Sequence, residues 1–181
     1  MALAAAVAIG IAGGLVVTQL DIEETIREVT LPLRHDDIIR KQAADKDVDA
    51  SLIAAVIYAE SRFEDQTSHA GARGLMQITP DTAEAIEDLS GGSTFVIEDL
   101  SNPDINIAYG TYYLDYLLEQ NEGNEVAALA AYNAGETVVD TWGGADLEQE
   151  DIEFEETRNY VDTVLQKREE YREHYDEALG L

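Results

Sequence analysis

The sequence predicts a mainly α protein: a helical body behind an apolar N-terminal helix. Three observations carry this expectation. Apolar residues recur at helical spacing, as in Leu52, Ile53, Val56 and Ile57. Thr79-Pro80 and Asn102-Pro103 pair a capping side chain with a proline suited to the first helical turn. No convincing series of alternating apolar and polar residues marks a set of strands.

The elements follow in order. From Ala2 to Leu20 every residue is apolar or small except Thr18 and Gln19. As a helix this stretch rises roughly 28 Å, about one hydrocarbon core. Residues 1–20 therefore read as a signal anchor or signal peptide, although no basic residue precedes the run and no small-x-small cleavage site follows it. Residues 21–35 form a short acidic connection, a stalk or a first helix. The body spans 36–181. Its first helix covers Asp36 to Lys46, and Asp49 caps a stronger one that reaches Glu60. Residues 61–78 break the periodicity, with Gly71 and Gly74 in a loop or small hairpin. Pro80 opens a helix over Asp81 to Leu89, ended by Gly91-Gly92. Asn102-Pro103 opens the next, to about Gln120, carrying Tyr109, Tyr112, Tyr113 and Tyr116. Asn124 caps Glu125 to Tyr132, Gly135 interrupts, Glu136 to Trp142 is short, and a long helix runs from about Glu155 to Ala178.

Composition removes several function classes. There are 38 acidic residues against 11 basic ones, a formal net charge of −27, and no Lys or Arg stands between Arg73 and Arg158. A nucleic-acid binder needs cations along the phosphate path, so no nucleic acid is expected. The same deficit, and the lack of a glycine-rich phosphate loop, argues against a phosphate cofactor. The acidity itself reads as solubility or adaptation to a salty medium, and it would repel an anionic wall at low salt. Cysteine is absent, which excludes disulfides, thiolate metal sites and a Cys nucleophile. Asp45-x-Asp47-x-Asp49 resembles the start of a calcium loop, but Ala50 and Val56 occupy the positions that need Gly and Glu. His35, His69 and His174 show no metal spacing. No metal and no cofactor are expected.

Glu60 is the candidate for chemistry. It closes an apolar helix and so stands at the edge of the core, where desolvation raises a carboxyl toward the neutral range that a general acid needs. Standing alone, a glutamate at a helix end is more often solvated surface. Its company alters that balance. Ala59-Glu60-Ser61-Arg62-Phe63 is followed by Gly74-Leu75-Met76-Gln77-Ile78. Asn106-Ile107 with Gly110 and Tyr113 come next, then Ala131-Tyr132-Asn133-Ala134-Gly135, and finally Glu156-Thr157-Arg158-Asn159-Tyr160-Val161.

These five runs, in this order and over roughly residues 36–168, resemble the soluble lytic transglycosylase (SLT) family, relatives of goose-type lysozyme. The resemblance implies a lysozyme-like helical domain with a groove for the glycan strand. It implies cleavage of the β-1,4 bond between N-acetylmuramic acid and N-acetylglucosamine in peptidoglycan (murein), a lyase reaction that leaves a 1,6-anhydromuramoyl end. Glu60 matches the family's catalytic glutamate, acting as general acid and then as base. Ser68 matches a serine that orients this carboxyl, or is a loop serine bonded to backbone. Met76 and Gln77 match residues lining the sugar subsites, and Gly74 lets the backbone pass close to the ligand. Tyr132 matches an aromatic hydroxyl near the reacting sugar. Asn133 beside it is a second contact or a turn former. Glu156 matches an acid that reaches the groove, or belongs to the solvated run of Glu150, Asp151, Glu153 and Glu155. The tyrosines of the 103–120 helix are core, or a platform for sugars. Asn106 and Ile107 read as packing and capping.

The implied partners are peptidoglycan strands and, through residues 1–20, a membrane. The implied setting is the extracytoplasmic face of a bacterial cell envelope, membrane-anchored or secreted, with the protein acting as a monomer. Two rivals stand beside this reading. A hydrolytic muramidase of the same fold would need a second carboxylate to hold water, with Glu64, Asp65 and Glu156 as candidates. A non-catalytic wall-binding module would have no use for the combination of Glu60, Ser68, Gln77 and Tyr132.

Overall fold

The structure, a computed structural model, describes residues 22, 24–91 and 96–181. The chain divides into two compact units, 1–33 and 34–181. In the first, residues 24–30 are helical, and Thr30 Oγ1 donates back to the Ile26 carbonyl at 2.8 Å. The apolar helix expected over residues 1–20 lies outside the described residues. Among those described, no helix is long and apolar enough to cross a membrane.

The second unit is built from seven α-helices among its described residues: α1 Asp36–Lys46, α2 Ala50–Ser61, α3 Pro80–Ser90, α4 Pro103–Gln120, α5 Glu125–Ala134, α6 Glu136–Trp142 and α7 Glu155–Leu179. Short 3-10 turns sit at Ile97–Ser101, Gly144–Asp146 and Gln149–Asp151. No strand occurs among the described residues; two isolated bridges, Thr67 with Arg73 and Arg73 with Ile78, stand where a loop or small hairpin is expected.

Local chemistry accounts for the boundaries. Asp49 accepts from the Ser51 amide, Thr79 from Thr82, Asn102 from Asp104, and Asn124 from both Val126 and Ala127. Each satisfies a helix-end N–H that has no intrahelical acceptor. α2 ends where Arg62 and then Phe63 adopt left-handed backbone, with φ of 53° and 63°.

The core is organised around α2. Its residues Ala50 to Ile57 are buried on every side of the helix, because α7 covers it most extensively and α1 packs beside it. Each of Leu52, Ile53, Val56 and Ile57 contributes about 1.5–3 kcal/mol by leaving water. α4 and α5 pack on each other, and α5 also lies against α7. The buried face of α4 is Asn106, Ile107, Gly110, Thr111, Leu114 and Leu117. The ends of α2, α5 and α7 thus meet around the last turn of α2.

Candidate active site

Glu60 sits in that last turn, one residue before the end of α2. The apolar run before it commits the helix to the core, and the carboxyl is carried into a largely desolvated position. Burial raises its pKa from 4.5 to about 7, against a smaller lowering by Tyr160 of α7. Water solvates the charged form far better than a protein interior does, which is the cause of the rise. The Tyr160 hydroxyl faces the carboxyl closely enough to influence its titration but outside the geometry of a formed hydrogen bond. It has no other hydrogen-bond partner among the described residues. Its own pKa is driven well up by burial and by the Glu60 charge, so it remains a protonated donor.

Tyr132, on α5, is the second phenol at Glu60. Burial and the Glu60 charge raise its pKa well above the ordinary value. Its hydroxyl donates to the Met76 carbonyl at 2.9 Å, which fixes the ring across the loop that follows α2.

A cavity of about 320 Å³ opens at the carboxyl, lined by Ala59, Glu60, Asn133, Glu156, Tyr160 and Thr163, with Asn159 beside them. The expected residues Glu60, Asn133 and Glu156 therefore converge on one space. Asn133 is exposed, and its Oδ1 accepts from Thr157 Oγ1 at 2.8 Å, tying the end of α5 to the start of α7. Glu156 is exposed on the cavity wall. Of the carboxylates that could hold a water for hydrolysis, only Glu156 lines this cavity; Glu64 and Asp65 are exposed on the loop after α2.

The loop 62–79 is locked to the helices by side chains. Ser61 Oγ donates to the Leu75 carbonyl at 2.7 Å. Asn106, fully buried, accepts from the Met76 amide at 2.8 Å and donates to the Arg73 and Leu100 carbonyls at 2.9 and 3.0 Å. Gln77 Nε2 donates to the Gln66 and Gly74 carbonyls at 3.0 and 2.8 Å, and Gln77 itself has a φ of 48°. Ser68 Oγ accepts from the Ala72 amide at 3.1 Å, the backbone-bonded arrangement, which leaves its hydroxyl hydrogen for another acceptor.

Two of the expected residues pack inside the protein in the structure. Met76, expected to line the sugar subsites, is fully buried. Its side chain fills the space over Gly110, where an added Cβ would stand 2.3 Å from the Met76 sulfur. Its carbonyl accepts from the Tyr132 hydroxyl. Gly74, expected to make room for ligand, makes room for protein: a Cβ there would lie 2.2 Å from Asn106 Nδ2 and 2.4 Å from the Leu100 carbonyl, at a φ of +74°.

Tyr160 is the site residue that the expected set lacks. Its position carried a signal, since it falls three residues after Thr157 and four before Val164, both buried on the inner face of α7. Among the described residues no group of three or more His, Cys, Asp or Glu side chains is placed to hold a metal ion. Asp49 is instead engaged by Ser51 and by Arg172, at 2.6 Å.

Comparison with known proteins places this geometry in context. Residues 37–155 match the family model described as the transglycosylase SLT domain. Over 159 residues the chain is 36% identical to the soluble lytic murein transglycosylase of Salmonella typhimurium, covering 80% of this chain and 24% of that protein. An inactive glutamate-to-glutamine mutant of the lytic transglycosylase Slt from Pseudomonas aeruginosa superposes with a TM-score of 0.76 at 34% identity, over 81% of this chain and 25% of that one. The 70 kDa soluble lytic transglycosylase of Escherichia coli gives a TM-score of 0.76 at 33% identity, over 84% and 26%. The chain thus spans about a quarter of the length of the relatives it matches.

Proposed function

The chain belongs to the transglycosylase SLT domain family, and from that premise we propose that it is a peptidoglycan lytic transglycosylase in which Glu60 acts first as acid and then as base. Glu60 protonates the glycosidic oxygen between N-acetylmuramic acid and N-acetylglucosamine. The muramoyl N-acetyl group stabilises the cationic anomeric carbon. The Glu60 carboxylate then takes the proton of the 6-hydroxyl of the same sugar, whose oxygen closes the 1,6-anhydro ring. No protein nucleophile and no water enter the reaction.

The observation that carries this reading is the carboxyl of Glu60, held at a pKa of about 7 by burial at the mouth of the cavity. A group titrating there populates both protonation states near neutral pH, so the same atom pair can give and take a proton. Tyr160 and Tyr132 supply protonated phenols beside the carboxylate form. Asn133 and Glu156 line the space for the sugar, and Gln77 and Ser68 hold the loop that bounds it. The inactive glutamine mutant of the P. aeruginosa neighbour agrees with dependence on one glutamate.

We further propose a location outside the cytoplasm at the cell envelope, a monomeric state, and residues 1–20 as export signal or anchor. Digestion of purified peptidoglycan followed by mass spectrometry tests the chemistry. Anhydro ends, lighter by one water than hydrolysed ends, are the expected product. Hydrolysed ends alone would transfer the assignment to a muramidase, with Glu156 as the second carboxylate, the reading favoured by its place on the cavity wall.

A further inference from the structure

The Leu75–Met76 peptide and the carbonyl that follows it are held from three helices. The Leu75 carbonyl accepts from Ser61 Oγ of α2 at 2.7 Å, closer than the 3.1 Å between that hydroxyl and the Ile57 carbonyl. The amide of the same peptide, on Met76, donates to Asn106 Oδ1 of α4 at 2.8 Å. The Met76 carbonyl accepts from the Tyr132 hydroxyl of α5 at 2.9 Å.

Asn106 sets this arrangement. It is fully buried, and its amide nitrogen donates to the Arg73 and Leu100 carbonyls at 2.9 and 3.0 Å. Both amide hydrogens are thus committed, and the side chain cannot flip without giving up three bonds. Gly74 leaves the room it needs, since a Cβ there would strike Asn106 Nδ2. A buried amide is tolerated only when its bonds are made. Here every one of them goes to backbone, so the residue serves to place a stretch of main chain.

That placement reaches Glu60 through Tyr132. The Tyr132 ring packs on Tyr113 of α4, with centroids 5.5 Å apart, which leaves the O–H torsion as its main freedom. A phenol has one hydrogen to give, and the Met76 carbonyl takes it. The Tyr132 hydroxyl also lies where the Glu60 charge acts on it, so a released hydrogen would turn to that carboxylate. The other titratable groups facing Glu60 are Tyr160 and Glu156 of α7, which line the same cavity; Asn133 of α5 is neutral. We propose that Asn106, assisted by Ser61, is a positioning residue of the reaction: it holds the Leu75–Met76 segment where the Met76 carbonyl keeps the single hydroxyl hydrogen of Tyr132 and withholds it from the Glu60 carboxyl. The role in catalysis rests on the glycan-cleaving function proposed above. Without a second donor the carboxyl stays protonated close to neutral pH, as a general acid must.

The test follows the Glu60 carboxyl by carbon-13 NMR, its signal assigned by its loss in Glu60→Gln. Asn106→Ala is expected to lower the Glu60 titration midpoint by about one pH unit, the effect of one added donor, and Ser61→Ala to lower it by less. Tyr132→Phe alone leaves the midpoint near that of wild type, and in double variants it abolishes the shift caused by either change. Activity follows the carboxyl: kcat/KM of Asn106→Ala falls about tenfold at pH 8 and changes little at pH 5, with the loss in kcat rather than KM. If Asn106→Ala does not fold, Ser61→Ala, with and without Tyr132→Phe, decides by the same readings. A merely structural clamp lowers the thermal midpoint but leaves the Glu60 titration in place, or moves it equally with and without the Tyr132 hydroxyl; either result overturns the proposal. If wild-type protein releases no anhydro ends from peptidoglycan yet the Glu60 titration responds through Tyr132, the function fails and the positioning stands. If anhydro ends form and the titration does not respond, the positioning fails and the function stands.

Discussion

The two ends of α2 carry carboxylates of opposite character. Asp49 caps the N-terminus and Glu60 occupies the last turn, on one helix that is apolar between them. Partial burial raises the pKa of Asp49, but the Ser51 hydroxyl, the Ser51 amide and the Arg172 guanidinium outweigh it, and the net shift is downward. Glu60 receives no comparable donor, and burial lifts it to about 7. The helix dipole works in the same sense, favouring a negative charge at the first turn and opposing one at the last. The same residue class becomes a charged structural cap at one end and a carboxyl with a raised pKa at the other, according to the number of donors that surround it.

The largest test of this contrast is Glu60→Gln. Wall digestion is expected to fall by about 10²- to 10⁴-fold, the range for loss of a general acid–base group, measured as release of soluble fragments. Asp49→Asn should leave that rate close to wild type.

Stability gives the second test. The folded Glu60 holds its proton up to about pH 7, whereas the unfolded one releases it near 4.5. Its contribution is fully present below pH 4.5 and is lost as pH rises through 7. The interval corresponds to about 3 kcal/mol. Glu60→Gln removes this titration, so its unfolding free energy should exceed that of wild type by up to about 3 kcal/mol more at pH 8 than at pH 4. An equal difference at both pH values would show that the carboxyl is not held neutral by its surroundings.

Asp49→Ala probes the other end. Loss of an N-cap costs about 1 kcal/mol. The ion pair with Arg172 adds little, because that guanidinium is half exposed. With a lowered pKa, the Asp49 contribution is present above pH 3.8 and is lost as pH falls through the folded value. The variant's deficit relative to wild type, read by chemical denaturation, should therefore shrink in acid, where wild type loses the same contribution.

The smallest expected effect is that of Tyr160→Phe. The phenol lowers the pKa of Glu60 by favouring its charged form. Removing the hydroxyl should move the alkaline limb of the kcat/KM profile upward, by less than about one pH unit. A downward shift would contradict the placement of this donor at the carboxyl.

Helix limits were legible because they depend on neighbours in the chain. Asp49, Thr79-Pro80, Asn102-Pro103 and Asn124 cap the helices they were expected to cap, and Gly91 and Gly135 interrupt where they should. The last helix runs one residue beyond its expected end, to Leu179, and α5 runs two residues further, to Ala134. The loop 61–78 was legible as a break in periodicity but not in its internal bonding. Nothing local in Gly74-Leu75-Met76 shows that Asn106, some thirty residues later, will hold the Met76 amide and two further carbonyls.

The sequence by itself determined the helical order, the family and the nomination of Glu60, since periodicity, caps and ordered short motifs are properties of the linear chain. Only the tertiary structure decided what surrounds that carboxyl. Its desolvation comes from α5 and α7 closing over the end of α2. Tyr160 joins it because α7 turns that side chain inward, and the Met76 side chain is buried because Gly110 admits its sulfur. Burial and donor count are sums over residues distant in the chain, and they decide whether a glutamate at a helix end is surface or site.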